Sequence, residues 1–299
     1  MSRSIKKSKK NKLEKSALAQ LIGFFFLRLA TYAVLFILIY FLYDIGSKGY
    51  KSISWEFLTE APRKGMTQGG ILPAIVGTFL VTMITAIVAV PLGMAAAVYL
   101  NEYARAGRLT RLIRLSIRNL AGVPSIVYGL FGVILFVNIL KFGTSVLSAG
   151  LTLGLLTLPW TITASEEALK SVPDAYREGA LALGATKWQM IKTNVLPYSI
   201  PGMLTGAVLG LARAAGETAP IMFTGAVFFK AVQKGSLFPY HLHEQCMALS
   251  MHLYTISTQV PGVKESIPFA TAVVLLGLVL LVNAAAIALR VWLRNRKKW

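Results

Sequence analysis

Six stretches of this 299-residue chain, near 21–43, 71–99, 119–140, 144–164, 198–228 and 267–293, are apolar for long enough to cross a bilayer. A helix needs roughly 20 mostly apolar residues to cover the hydrocarbon core, whereas a barrel strand needs about half that and alternates. None of the six alternates, so the sequence predicts an all-α polytopic membrane protein with six transmembrane helices. Composition agrees, with 55% hydrophobic and 14% charged residues and a mean hydropathy of +0.62. A soluble nucleic-acid-binding domain with the same net charge of +19 would carry more ionised side chains and would not be this apolar. The lone Cys246 excludes an intramolecular disulfide, an iron–sulfur cluster and any multi-cysteine metal site.

With six spans, both termini share a side. With Arg28 and Arg290, at the span ends nearest that side, counted to it, that side holds 22 of the 31 basic residues and the other holds 8, leaving Arg213 within a span. Basic residues mark the cytoplasmic side, so both termini are expected there. The amino-terminal Lys6, Lys7, Lys9, Lys10, Lys12 and Lys15 read as a solvated tail that sets topology and touches anionic lipid. The first apolar run exceeds the roughly 7–15 residues of a signal-peptide core, and no small-residue cleavage site follows it, so an uncleaved span is expected. The expected organisation is a tail, first helix and external loop over 1–66, a transmembrane core over 67–293, and a basic tail over 294–299. The external segments 44–70 and 229–266 are too small for a catalytic domain and suit a lid or docking surface.

Residues 164–197 carry the main structure outside the membrane. Ser171, Pro173 and Asp174 form a helix start. The helix then places Val172, Ala175, Tyr176, Gly179, Ala180 and Leu183 on one apolar face. Gly184 suits a left-handed stop, Thr186 and Gln189 form a capping box for a second short helix, and Leu196-Pro197 is expected to end it. A small-residue face on the wet side either docks in a groove of a partner protein or packs on the ends of its own bundle.

The fifth span carries Arg213 and Glu217, one helical turn apart, where each charge costs about 2.5–3.5 kcal/mol on insertion scales. On a helical wheel they share a face with Gly202, Gly206, Gly210, Ala214 and Thr224. Two readings stand: a buried pair that fixes helix packing, or an anion path in which Arg213 offers planar donors and Glu217 moderates its grip.

The string Glu178-Gly179-Ala180, then Gly184 after three residues, then Asn194-Val195-Leu196-Pro197 after nine more, resembles the EAA loop of ABC-transporter permeases. Gly179 and Asn194 depart from the family's Ala and Ile. The run Ala212-Arg213-Ala214-Ala215-Gly216-Glu217-Thr218-Ala219-Pro220 resembles that of phosphate permeases of the PstA type, as does Gly69-Gly70-Ile71-Leu72-Pro73-Ala74-Ile75-Val76-Gly77-Thr78. The resemblance implies a MetI-like, type I importer fold in the inner membrane. It also implies a heterodimer with a second, homologous permease, two copies of a cytoplasmic ATPase and an external phosphate-binding protein. It assigns Glu178, Gly179, Ala180, Gly184, Leu196 and Pro197 to ATPase coupling, and Arg213, Glu217, Thr218 and Glu166 to the path of inorganic phosphate. Some relatives carry an Arg three residues before the position of Glu166, where this chain has Thr163.

No cofactor, metal ligand set or catalytic residue is expected. Gly179 to Lys187 imitates a phosphate-binding loop but has Ala185 where Lys is required, so ATP is assigned to another chain. His241, His243 and His252, with Glu244 and Cys246 nearby, match no zinc spacing. Pro91 and Pro124 are expected to kink their spans. The alternatives are a permease for sulfate, molybdate or an organic anion, and an ion-coupled carrier, which has no need of the docking hairpin.

Overall fold

The computed structural model of the chain describes residues 2–227 and 240–296. Position 228 at the expected end of the fifth span, residues 229–239 of the second external segment and 297–299 of the basic tail lie outside the described residues. Helix α1 (Ser2–Gly49) carries the first apolar run. Beyond it, Ser54 caps α2 (Trp55–Thr59) by accepting from the Phe57 N–H at 3.1 Å. Strand β1 (Pro62–Arg63) pairs antiparallel with β2 (Gln68–Gly69), a small departure from the all-helical expectation.

Helix α3 (Leu72–Val98) runs through Pro91 and finishes in a π-helical turn, Tyr99–Tyr103. The expected third span is divided. Helix α4 (Arg108–Leu120) meets α5 (Ser125–Gly132), which continues in a π-helical turn to Ile139, at an angle of 102°. Pro124 sits at the corner with ψ 137, so the residue expected to kink a helix separates two. Helix α6 (Val146–Lys170) starts on Ser145, whose Oγ accepts from the Ser148 N–H. Then come α7 (Asp174–Ala182), α8 (Lys187–Met190), a π-helical turn Ile191–Val195, α9 (Leu196–Gly216), α10 (Ala219–Thr224), α11 (Leu249–Thr258) and α12 (Ser266–Arg296). Among the described residues, five helices are long and apolar enough to cross a membrane, or six with the bent α4–α5 pair counted as one.

Helix α6 is the centre of the bundle: 61% of its most apolar window is buried, against none in α1 or α12. Lipid tails are as apolar as leucine, so helices in a bilayer associate where small residues let backbones meet. The chain follows that rule. Gly202 and Gly206 of α9 face Ala168 and Ala164 of α6, Gly210 faces Thr157, and Gly150 of α6 faces Ile84 of α3. Thr85 Oγ1 donates to the Gly150 carbonyl at 3.1 Å.

At the end of the bundle opposite the hairpin, residues 240–248 thread back onto it. The Cys246 and Ala248 N–H groups donate to the Gly225 and Ala226 carbonyls, and Leu249 N–H donates to Thr78 Oγ1 at 2.7 Å. Gly77 of α3 permits this approach, because a Cβ there would meet the Met247 backbone, while Gly225, at φ 130, admits the Ser145 backbone. Cys246 and His252 are buried; burial pushes the thiol up to about 12 and the imidazole down to about 4. His241 and His243 are exposed instead, and among the described residues no group of three His, Cys, Asp or Glu is placed to hold a metal.

The α6–α9 contact makes a prediction. Gly206→Leu drives a side chain into Ala164 and lowers stability by about 1–3 kcal/mol. Gly277→Leu, with open space at its Cβ, leaves it unchanged. Thermal unfolding of the purified protein in detergent checks both, and equal melting temperatures would contradict the packing.

Candidate functional site

The fifth expected span does not run as one helix. Pro220 has no N–H to donate to the Gly216 carbonyl, and α9 stops at Gly216. Glu217 takes up extended backbone (φ −68, ψ 139), Thr218 precedes the first turn of α10, and the Ser250 hydroxyl donates to the Glu217 carbonyl at 2.9 Å. The helical wheel that put Glu217 and Thr224 on the glycine face is thereby corrected, since both lie beyond the end of α9. The glycines of that face pack on α6.

Arg213 and Glu217 remain together across the break, with Arg213 Nε 3.4 Å from Glu217 Oε1. The guanidinium carbon lies 5.1 Å from the ring centre of Trp160 on α6, a cation–π geometry. Glu217 is mostly buried, at 17% side-chain exposure, whereas Arg213 is at 52%. The Arg213 Nη groups have no hydrogen-bond partner among the described residues. A half-exposed guanidinium with spare donors on a membrane helix is held where water or another polar surface meets it, because hydrocarbon would not tolerate it.

Glu166 and Thr163 lie elsewhere. Glu166 is buried and pairs with Arg114 of α4 at 3.2 Å and Lys170 at 3.9 Å. It sits six residues beyond Trp160 on α6, about 9 Å along the axis toward the hairpin. The Thr163 hydroxyl donates to the Pro159 carbonyl. No contact joins Glu166 to Arg213 or Glu217 among the described residues.

The hairpin after α6 forms largely as its sequence demands, except at its start, where Ser171 closes α6 by donating to the Ala168 carbonyl and Pro173 precedes α7 instead of lying in its first turn. Gly184 takes φ 82, and Thr186 and Gln189 make both capping-box hydrogen bonds. Leu196-Pro197 does not end the second helix. The π-helical turn Ile191–Val195 carries the chain from α8 into α9, whose first turn tolerates Pro197. Val172 is buried and Ala180 packs on the inner core, while Glu178, Gly179 and Gly184 face outward. Leu183 is 90% exposed and Trp188 56%, so most of the predicted apolar face is not spent on the chain's own bundle. Asn194, one of the two departures from the EAA pattern, donates to the Tyr176 carbonyl at 3.2 Å and ties the two arms together.

A residue that motif reading missed anchors this hairpin. Arg177 contacts Glu102, in the π-helical turn that ends α3, through Nη2–Oε1 at 2.9 Å and Nε–Oε2 at 3.4 Å. It also donates to the Val172 and Leu169 carbonyls. The side chains are 16% and 5% exposed. The partners are 75 positions apart, beyond any local period, so the only sequence signal was an acidic residue beside a segment of arginines.

A family model described as binding-protein-dependent transport system inner membrane component matches residues 89–299. The chain belongs to that family. As such it is a multi-pass inner-membrane permease, the transport subunit of a system that also has an ATPase and a substrate-binding protein. Among its relatives, a probable ABC transporter permease protein YqgI of Bacillus subtilis (strain 168) is 32% identical over 246 residues, 80% of this chain and 83% of that one. The phosphate transport system permease protein PstA of Yersinia pestis is 40% identical over 191 residues, 64% of each chain. PstA 1 of Mycobacterium tuberculosis (strain ATCC 25618 / H37Rv) is 38% identical over 189 residues, and the permease spans 61% of its length. An inward-facing MetNI methionine ABC transporter structure shares the fold at a TM-score of 0.59 and 18% identity, covering 75% of this chain and 97% of that one.

Breaking a buried ion pair by removing one partner costs about 3–5 kcal/mol, because it strands the other charge. Glu102→Gln in this permease therefore loosens the hairpin, and limited trypsin digestion at Lys187 and Lys192 accelerates several-fold. Unchanged cleavage would show that the pair does not hold it.

Proposed function

We propose that this permease forms half of the transmembrane path of an ATP-driven importer of inorganic phosphate. Its partners are a second, homologous permease, two copies of a cytoplasmic ATPase that seat the hairpin, and an external phosphate-binding protein. The observation that carries the reading is Arg213, held at a helix break by Glu217 and Trp160 with its Nη donors free among the described residues. A guanidinium offers paired donors that match a phosphate's oxygens, and one weakened by a neighbouring carboxylate releases its anion. The names of the PstA relatives supply the substrate.

Glu217 and Thr218 line the path beside Arg213. Glu166, bound to Arg114, acts from the cytoplasmic end of α6, where it holds α4 to the bundle. Both termini face the cytoplasm, with the hairpin. The ATPases grip Glu178, Gly179, Gly184 and the protruding Leu183, with Ala180, Leu196 and Pro197 behind them. Arg177 carries their closure to the end of α3, and Gly202, Gly206 and Gly210 let α9 and α6 turn as one unit, switching Arg213 between the two sides.

The test is uptake of labelled phosphate by the complete complex in ATP-loaded vesicles. Arg213→Gln lowers uptake by about tenfold or more, the worth of one charged hydrogen-bonding group, while the subunits still co-purify. Arg213→Lys recovers only part, because an ammonium lacks the planar fork. Wild-type uptake by Arg213→Gln would remove the assigned role, and competition by sulfate as strong as by unlabelled phosphate would change the substrate.

A further inference from the structure

Helix α4 has a role that the transport path leaves unassigned. Its sequence places Arg111, Arg114 and Arg118 within about 60° of one another on the helix, nearly opposite Leu109, Leu112, Ile113 and Leu120. It contains no acidic residue. The apolar flank is uncovered: Leu109 is 71% exposed, Leu112 59% and Leu120 46%. The arginine flank opens on a groove of about 420 Å³, lined also by Thr110 and Leu115. Arg114 is turned inward to Glu166 and the Leu100 carbonyl, which fixes the helix to the ends of α3 and α6. Arg111 and Arg118 have no carboxylate within ion-pair distance among the described residues.

The 102° corner at Gly122 to Pro124 matters here. It turns α4 nearly perpendicular to the apolar helix α5, which packs into the bundle against α6 and α10, so α4, tied to Glu166, lies across the end of the bundle that carries the hairpin, along the membrane surface. An interfacial helix sinks its apolar flank to the depth of the upper acyl chains and keeps its basic flank among the headgroups. We infer that α4 is a binding site for anionic phospholipid, in which Arg111 and Arg118 hold a headgroup phosphate and Leu109, Leu112 and Leu120 rest on its acyl chains. Charge complementarity selects this occupant: two unpaired guanidiniums beside an uncovered apolar face fit an amphiphile with a negative head. A zwitterionic lipid or a free anion satisfies only part of that surface.

The experiment titrates the purified complete complex with phosphatidylglycerol or phosphatidylcholine and counts retained lipids by native mass spectrometry. The wild type holds phosphatidylglycerol in preference. Arg111→Gln/Arg118→Gln loses the preference by about ten- to thirty-fold, two basic residues at roughly 1 kcal/mol each near an anionic surface. Equal retention of the two lipids by the wild type, or unchanged retention by the double variant, would overturn the inference. Displacement of phosphatidylglycerol by inorganic phosphate would also overturn it and make the groove a site for the free anion. A second measurement does not need the arginine variants. In Leu112→Trp, lipids brominated on their acyl chains quench the added indole fluorescence, and absence of quenching would place α4 off the membrane.

Discussion

A helix that stops inside a membrane frees backbone groups that need partners, and the break between α9 and α10 is where this chain faces that demand. Pro220 removes one donor, Glu217 leaves the helix, and its carbonyl accepts from the Ser250 hydroxyl. Glu217 turns its carboxylate to Arg213, whose guanidinium rests against Trp160. The charged pair thus spans a discontinuity, and the α9 segment just before it is seated closely on α6 through three glycines. Irregular backbone at membrane depth is tolerated where protein or water lines it, which is the setting a translocation path provides.

Ion pairs at the other end of the bundle serve attachment. Glu102 receives Arg177 from the hairpin, and Glu166 receives Arg114 from α4. Both carboxylates are buried, and both lie near the ends of core helices from which the hairpin projects. The two amphipathic pieces of the chain, α4 and the hairpin, are therefore each held to α3 or α6 by an arginine, and each leaves an apolar face uncovered. One faces a protein partner in the functional account, the other a lipid surface.

Much of this was readable in the residues. Apolar run length located the spans, Gly184 marked the turn of the hairpin, and Thr186 with Gln189 marked the start of its second arm. The failures share a cause: hydropathy does not register backbone geometry. The apolar Gly122-Val123-Pro124 hid a corner inside the third run, and Pro220 ended a helix that a wheel carried onward to Thr224. Leu196-Pro197 erred the other way, since a widened turn lets a helix pass a proline. Arg177–Glu102 and Arg114–Glu166 were invisible because pairs 75 and 52 positions apart obey no local period. Arg213 was conspicuous because a charge among apolar residues stands out, and Trp160 was not, because an aromatic in a span does not.

The central claim is that the break at Arg213 and Glu217 faces an aqueous path that carries phosphate. The direct measurement places a cysteine at Gly216, which has open space at its Cβ, in a Cys246→Ala background of the assembled complex. A membrane-impermeant thiol reagent should modify that cysteine, and phosphate, but not sulfate, should slow the reaction. A cysteine that does not react, or reacts at the same rate with and without phosphate, would contradict the account.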